Sequence, residues 1–278
     1  MSAVARPASR GVLAQAGRRA RGYLPASFVL VAGIGLWQGL VTVLHIQKFL
    51  LPKPTEIISA LQENWRFLRG AGLATFKEAL GGFAIGCGMA VVTALALARW
   101  RRLGSALLPF AIAANAVPII AFAPIFNNWF GLLNPVSKMA IAAVICYFPV
   151  MINMLRGLTS VHPSSIELMR SYAAGEAETF RRVRVPNSLP YLFSGLKVAS
   201  VLSMIGAVVS QYFGGLRKTS LGLFIKERAA LAFYADAWAA IFVASVLGVT
   251  FYLAIAVVER YALRWHPSVR VFAWAGRA

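Results

Sequence analysis

The chain has 278 residues, 59% of them apolar and only 13% charged, with a mean hydropathy of +0.69; this excludes an ordinary soluble globule and points to a polytopic membrane protein. The net charge of +19, from 28 basic residues against 9 acidic ones, would suit a nucleic-acid binder. Apolar runs near the ~20 residues a bilayer crossing needs exclude nucleic acid as partner and leave the bases to set membrane orientation.

In chain order, a basic tail over 1–23 precedes six apolar windows: 24–44, 79–98, 105–130, 137–155, 189–213 and 237–258. Each is long enough to cross as a helix, because lipid offers the backbone no water to bond. The expected fold class is all-α, a polytopic membrane protein with about six transmembrane helices over residues 24–260, followed by a tail over 261–278. Arg18, Arg19 and Arg21 stand where a signal peptide carries its charges. The window after them is too long, and no small-x-small cleavage site follows, so it is expected to stay in the membrane.

Cytoplasmic flanks are enriched in lysine and arginine. With the N-terminus inside, the cytoplasmic segments carry 17 such residues and the outside segments 8, with Lys77, Lys138 and Lys197 near span ends. Both termini are therefore expected in the cytoplasm, as is the segment between the fourth and fifth windows. On the outside, Thr55 is expected to cap a short helix whose Ile57, Ile58, Leu61, Trp65 and Leu68 recur at helical spacing. "GGLRKTSLGLF" lacks the GxxxxGK[ST] spacing of a phosphate-binding loop and is not read as one.

Residues 164–190, "SSIELMRSYAAGEAETFRRVRVPNSLP", gather three of the acids and four arginines between two apolar runs. Ser164 and Glu167 have capping-box spacing, which predicts a helix start, and Gly175 suits the left-handed turn that would end it. A second short helix is expected through "EAETFRRVR", with Glu176 and Glu178 at its positive end, Arg181, Arg182 and Arg184 at its negative end, and Pro186 stopping it. Ile166, Met169, Ala173, Ala177 and Phe180 would form an apolar stripe edged by charge. Such a surface can dock into a groove on another protein, but a solvated loop joining two spans accounts for the same charges, and physics alone leaves the two level.

The same residues resemble the signature "EAA" loop of ABC importer permeases, which reads E-A-A, three residues, G, nine residues, I-x-L-P. Glu167, Leu168 and Met169 take its first three places, Ala173 its glycine, and Val183, Val185 and Pro186 its end. The departures are Leu-Met for Ala-Ala and Ala for Gly. "LLPKPTEIISAL", "AVPIIAFAPIFNNWFGL" and "VPNSLPYLFSGLKVA" are similar to the branch holding nitrate, sulfonate, taurine and thiamine- or riboflavin-precursor permeases. The resemblance implies an all-helical, multi-pass subunit of a bacterial-type inner membrane, like the type I ABC importer permeases, with a coupling loop over 157–188. It implies as partners a second, identical permease subunit, two cytoplasmic ABC ATPases and an extracytoplasmic solute-binding protein. Its docking residues would be Glu167, Met169, Tyr172, Ala173, Gly175, Phe180 and Pro186, with Arg181 and Arg182 as rim charges. The chain has no Walker motif, so ATP and Mg would be used by the partner ATPase, with no cofactor held here.

Asn115, Asn127, Asn128, Asn153, Ser203, Ser210 and Gln211 are polar positions in or beside apolar spans, where such groups face a bundle interior. Asn115, Asn127, Asn153, Ser203 and Gln211 are taken as a candidate solute path, although interhelical bonding explains any one of them as well. Pro109, Pro118, Pro124 and Pro149 can kink spans, and Gly81, Gly82, Gly86 and Gly88 can permit close helix approach. Cys87 and Cys146 sit in apolar runs and read as small core residues. His45, His162 and His266 lack ligand spacing, so no metal site is expected. A secondary transporter or channel without an ATPase is the alternative and would call for acids deep in a span; Glu78 is read as lying at a span end. No convergent set of catalytic groups argues for an enzyme. The Phe and Tyr content mildly favours an aromatic solute.

Overall fold

Long apolar runs fold as helices because only intrahelical bonds satisfy a backbone that lipid cannot. The computed structural model describes residues 10–100, 106, 109, 110, 113, 117–214 and 219–264. Among them the helices are α1 (Arg10–Val43), α2 (Pro54–Glu63), α3 (Trp65–Arg99), α4 (Ala123–Phe130), α5 (Pro135–Thr159), α6 (Pro163–Ser171), α7 (Glu176–Thr179), α8 (Val185–Gly214), α9 (Leu221–Ala230) and α10 (Tyr234–Ala262). No strand occurs among the described residues. Four helical stretches there are long and apolar enough to cross a membrane: Trp65–Arg99, Pro135–Thr159, Glu176–Gly214 and Tyr234–Ala262, with Ser27–Val43 as a shorter apolar stretch. The chain is an all-α membrane protein.

Three expectations about these elements are corrected. The described part of the 105–130 window is not one helix: the chain bends at Val117, forms a 3-10 turn over Ile119–Phe122, and then forms α4. Pro118 disfavours a helical residue before it, Pro124 is suited to a helix start, and Gly131 (φ 91°) ends α4 after a length of ~12 Å, too short to cross. The outside amphipathic helix breaks at Asn64, so Trp65 and Leu68 belong to α3. Thr55 does not cap α2: Pro54 opens the helix and Glu56 reaches back to the Lys53 N–H (3.3 Å), while Thr55 pairs with Gln38 at 3.4 Å. Pro186, expected to stop a short helix, lies inside a continuous helical run from Glu176 to Gly214. A proline cannot bond the carbonyl four residues back; here the turn before it, Phe180–Arg184, is widened to π geometry, and the Val185 N–H donates five residues back to Phe180.

Helix packing rests on small residues. A Cβ at Gly82 would lie 2.5 Å from Ala142 Cβ, and one at Gly86 would lie 2.3 Å from the Ala143 carbonyl oxygen, so this GxxxG pair sets α3 against α5. Gly81 meets the Met139 side chain, but Gly88 has nothing within 4 Å, so its expected packing role is not met. One buried cluster joins Cys87, Ala94 and Leu97 of α3 to Cys146, Val150 and Leu155 of α5 and Ala199 of α8. A second joins Ile57, Leu68, Ala79, Met204, Leu221 and Ala240, drawing α2, α3, α8, α9 and α10 together. On α10, Phe242, Val246, Val249, Leu253 and Val257 form an exposed apolar stripe at helical spacing, the surface a lipid-facing helix presents.

Candidate functional site

Two polar assemblies stand out at opposite ends of the bundle. At the α9 end, Gln211 of α8 is 1% exposed and Glu78 of α3 is 5% exposed. The Gln211 side-chain amide donates to Glu78 (2.7 Å), and its Oε1 accepts from the Thr75 hydroxyl (3.1 Å) and the Gly222 N–H (3.0 Å). The Leu221 N–H donates to Thr75 Oγ1 (3.3 Å), so the first turn of α9 is held by α3 and α8 together. This corrects the placement of Glu78 at a span end: α3 begins thirteen residues earlier, at Trp65, and the carboxylate lies buried inside it.

Nearby, Lys138 is buried and donates to Asn127 Oδ1 (3.1 Å), to Ser137 Oγ (2.9 Å) and to the Leu132 carbonyl. These bonds tie α4 to the start of α5. Asn127 Nδ2 and Ser210 Oγ are buried without a hydrogen-bond partner. Gly214 lies so close to Asn127 that a Cβ there would fall 1.8 Å from Nδ2. A third polar contact crosses between spans, where Lys197 of α8 meets Glu259 of α10 at 2.7 Å, both largely buried.

Of the candidate path residues, Gln211 and Asn127 thus enter buried polar clusters. Ser203 bonds back to the Ser200 carbonyl (2.9 Å) and Asn153 to the Pro149 carbonyl (2.8 Å), each within its own helix. Asn128 is exposed, and Asn115 lies outside the described residues. Sequence reasoning did not single out Thr75 and took Glu78 and Lys138 only for span-end charges, because the apolar windows beside them begin at 79 and at 137. The signal was there: Glu78 stands four residues before the close-packed Gly82 on the same face of one helix.

At the other end lies the turn between α6 and α7. The expected capping box does not form. Pro163 opens α6, and His162 Nδ1 accepts from the Ser164 N–H (3.3 Å), leaving Glu167 exposed. The left-handed residue that ends α6 is Ala173 (φ 54°), not Gly175, whose φ of −69° starts α7. The Ala173 N–H donates to Arg170 (2.9 Å) and the Ala174 N–H to Met169 (3.0 Å), completing a Schellman motif. Glycine is the one residue type that takes this φ without cost, so Ala173 holds the turn at some steric strain.

The expected apolar stripe does not form one exposed face. Ile166 and Met169 are half-buried, and Phe180 packs on the first cluster, while Ala173 and Ala177 are exposed. Outward-facing bulk comes from Leu168 (56% exposed) and Tyr172 (74%). Gly175, Arg181 and Arg182 are exposed, Arg182 pairs with Glu178 at 3.0 Å, and Pro186 is half-buried.

Residues 82–264 match the family of binding-protein-dependent transport system inner membrane components. The chain belongs to that family. The permease is 30% identical over 250 residues to a riboflavin transport system permease protein of Chloroflexus aurantiacus, covering 88% of this chain and 90% of that one. It is 31% identical over 225 residues to a formylaminopyrimidine transport permease protein of Halalkalibacterium halodurans, covering 80% and 88%. A putative aliphatic sulfonates transport permease protein of Bacillus subtilis is 24% identical over 255 residues, covering 91% of each. The permease is accordingly a transport subunit for a small solute and not an enzyme.

Proposed function

We propose that the permease is the membrane subunit of an ATP-driven importer, receives its solute from an extracytoplasmic binding protein, and works as a homodimer with two cytoplasmic ABC ATPases. Family membership and the continuous Glu176–Gly214 helix support this reading. In it, the α6–α7 turn is the coupling element. Glu167, Leu168, Met169, Tyr172, Ala173 and Gly175 form the docking surface, Arg181 and Arg182 its rim, and Phe180 and Pro186 the joint that fixes it to the bundle. A turn rigidly continuous with a helix that reaches Gln211 can carry a push from one end of the bundle to the other. ATP and Mg bound by the ATPases drive that push, and differential affinity for two permease states converts it into alternating access.

The proposed solute class is supported by the relatives at 30% and 31% identity, whose names specify riboflavin and formylaminopyrimidine. Both are flat nitrogen heterocycles, and we propose a solute of that chemistry ahead of a sulfonate- or nitrate-type anion. The buried Glu78 supplies the membrane acid that a secondary transporter would need, so energy source is the discriminating property.

Ala173→Glu tests the coupling assignment. It should abolish ATPase co-purification and uptake while membrane insertion persists. Retention of both would remove the α6–α7 turn from the mechanism.

A further inference from the structure

Where the last turn of α3 meets α6 and the π turn, the surface folds into an open concavity lined by Arg99, Ile166, Arg170, Glu176, Phe180 and Arg184. Three arginines line it from three different elements, against a single acidic residue. Glu176 stands 3.7 Å from Arg99, with both side chains exposed, a contact that contributes little. Among the described residues, the guanidinium groups of Arg170 and Arg184 form no ion pair or hydrogen bond. Beside the charged groups the lining includes the buried Ala98 and Thr179 and the half-buried Phe180.

Its depth in the membrane is set by the helices that carry it. Arg99 is the last residue of one crossing stretch and Glu176 the first of another, so the concavity lies at one end of the bundle and outside its hydrocarbon-spanning part. Basic pockets between the ends of membrane helices suit anionic headgroups. Arginine forks match phosphate oxygens in geometry as well as charge. Ile166 and Arg170, four residues apart, face the concavity, whereas Leu168 and Tyr172 are exposed on the opposite side of α6.

We propose that this concavity binds a phosphate group, held by Arg99, Arg170 and Arg184, supplied either by an anionic lipid headgroup or by free phosphate. The bound group ties α6 to the end of α3 and to the start of the Glu176–Gly214 helix, bracing the turn from its membrane side while leaving its outer face open.

The test uses the full-length permease in nanodiscs of phosphatidylcholine alone, of phosphatidylcholine with phosphatidylglycerol, and of phosphatidylcholine with inorganic phosphate in the buffer. Thermal stability and probe affinity are measured for wild type, Arg170→Gln/Arg184→Gln and Arg260→Gln, the last an exposed base at the end of α10. Phosphatidylglycerol or inorganic phosphate should stabilise wild type and Arg260→Gln, with affinity at least about tenfold lower in the double variant. Stabilisation by the lipid alone identifies the membrane as the source, and stabilisation by inorganic phosphate identifies a soluble one. No stabilisation by either, or equal stabilisation of wild type and the double variant, overturns the site. If the double variant does not assemble, Arg99→Gln, at a largely exposed position, makes the same comparison. No ATPase takes part, so the result is independent of the docking assignment.

Discussion

The Gln211 amide and the Glu78 carboxylate meet at 2.7 Å between two membrane-crossing helices, and the same glutamine accepts from the first turn of α9. One side chain therefore fixes α3, α8 and α9 relative to one another. Hydrogen bonds between membrane helices average only ~0.6 kcal/mol, but a buried donor or acceptor stripped of its partner costs about 1–3 kcal/mol. The second effect dominates here, because Gln211 serves three groups at once.

Gln211→Leu should therefore destabilise the purified protein by about 3 kcal/mol, read as a lower melting temperature. Gln211→Glu should also destabilise it at neutral pH, since it sets a second carboxylate against Glu78. A melting temperature unchanged by Gln211→Leu would show that the cluster does not hold α9.

Gly86 and Gly88 form a matched pair. Gly86→Ala drives a methyl group into the Ala143 backbone at 2.3 Å and should cost roughly 1–3 kcal/mol. Gly88→Ala enters open space and should be neutral, or stabilising by up to about 1 kcal/mol through helix propensity. Parallel thermal melts check the difference.

Ala173→Gly should stabilise the α6–α7 turn by about 1 kcal/mol, because glycine takes φ 54° without steric cost. Ala173→Val should loosen it. Hydrogen exchange over residues 163–175 should slow in the first variant and quicken in the second.

How much of this was legible in the sequence depends on the range of the interactions involved. The windows at 79–98, 137–155, 189–213 and 237–258 fall within the four long apolar stretches, because lipid leaves a backbone no alternative to a helix. The close approach at Gly82 and Gly86 was readable from their spacing. The partner of Glu78 was not, because Gln211 lies 133 residues away in the chain and no local pattern links the two. Local rules pointed to Ser164, Gly175 and Pro186 as start, end and stop. Pro163 moved the cap to His162, Ala173 accepted the left-handed turn in place of glycine, and a π turn carried the helix past Pro186.

At α2, Lys48 stands 2.9 Å from Glu56, and the Lys53 N–H donates to the same carboxylate; the Lys48 contact foremost holds the Glu56 carboxyl below its usual range. The stabilising contribution is therefore present above the unfolded pKa of about 4.3 and is lost as pH falls through the lower folded value. Lys48 is largely exposed, so the contribution is below about 1 kcal/mol. Acid melts should show a loss in this window for wild type that is absent in Glu56→Gln.

A cysteine placed at the exposed Ser171 most directly tests whether the α6–α7 turn is a cytoplasmic lever. A membrane-impermeant thiol reagent should leave it unlabelled in intact cells and label it in inside-out vesicles, with bound ATPase protecting it. Labelling from outside intact cells would place the turn on the wrong side of the membrane for any cytoplasmic motor to grip.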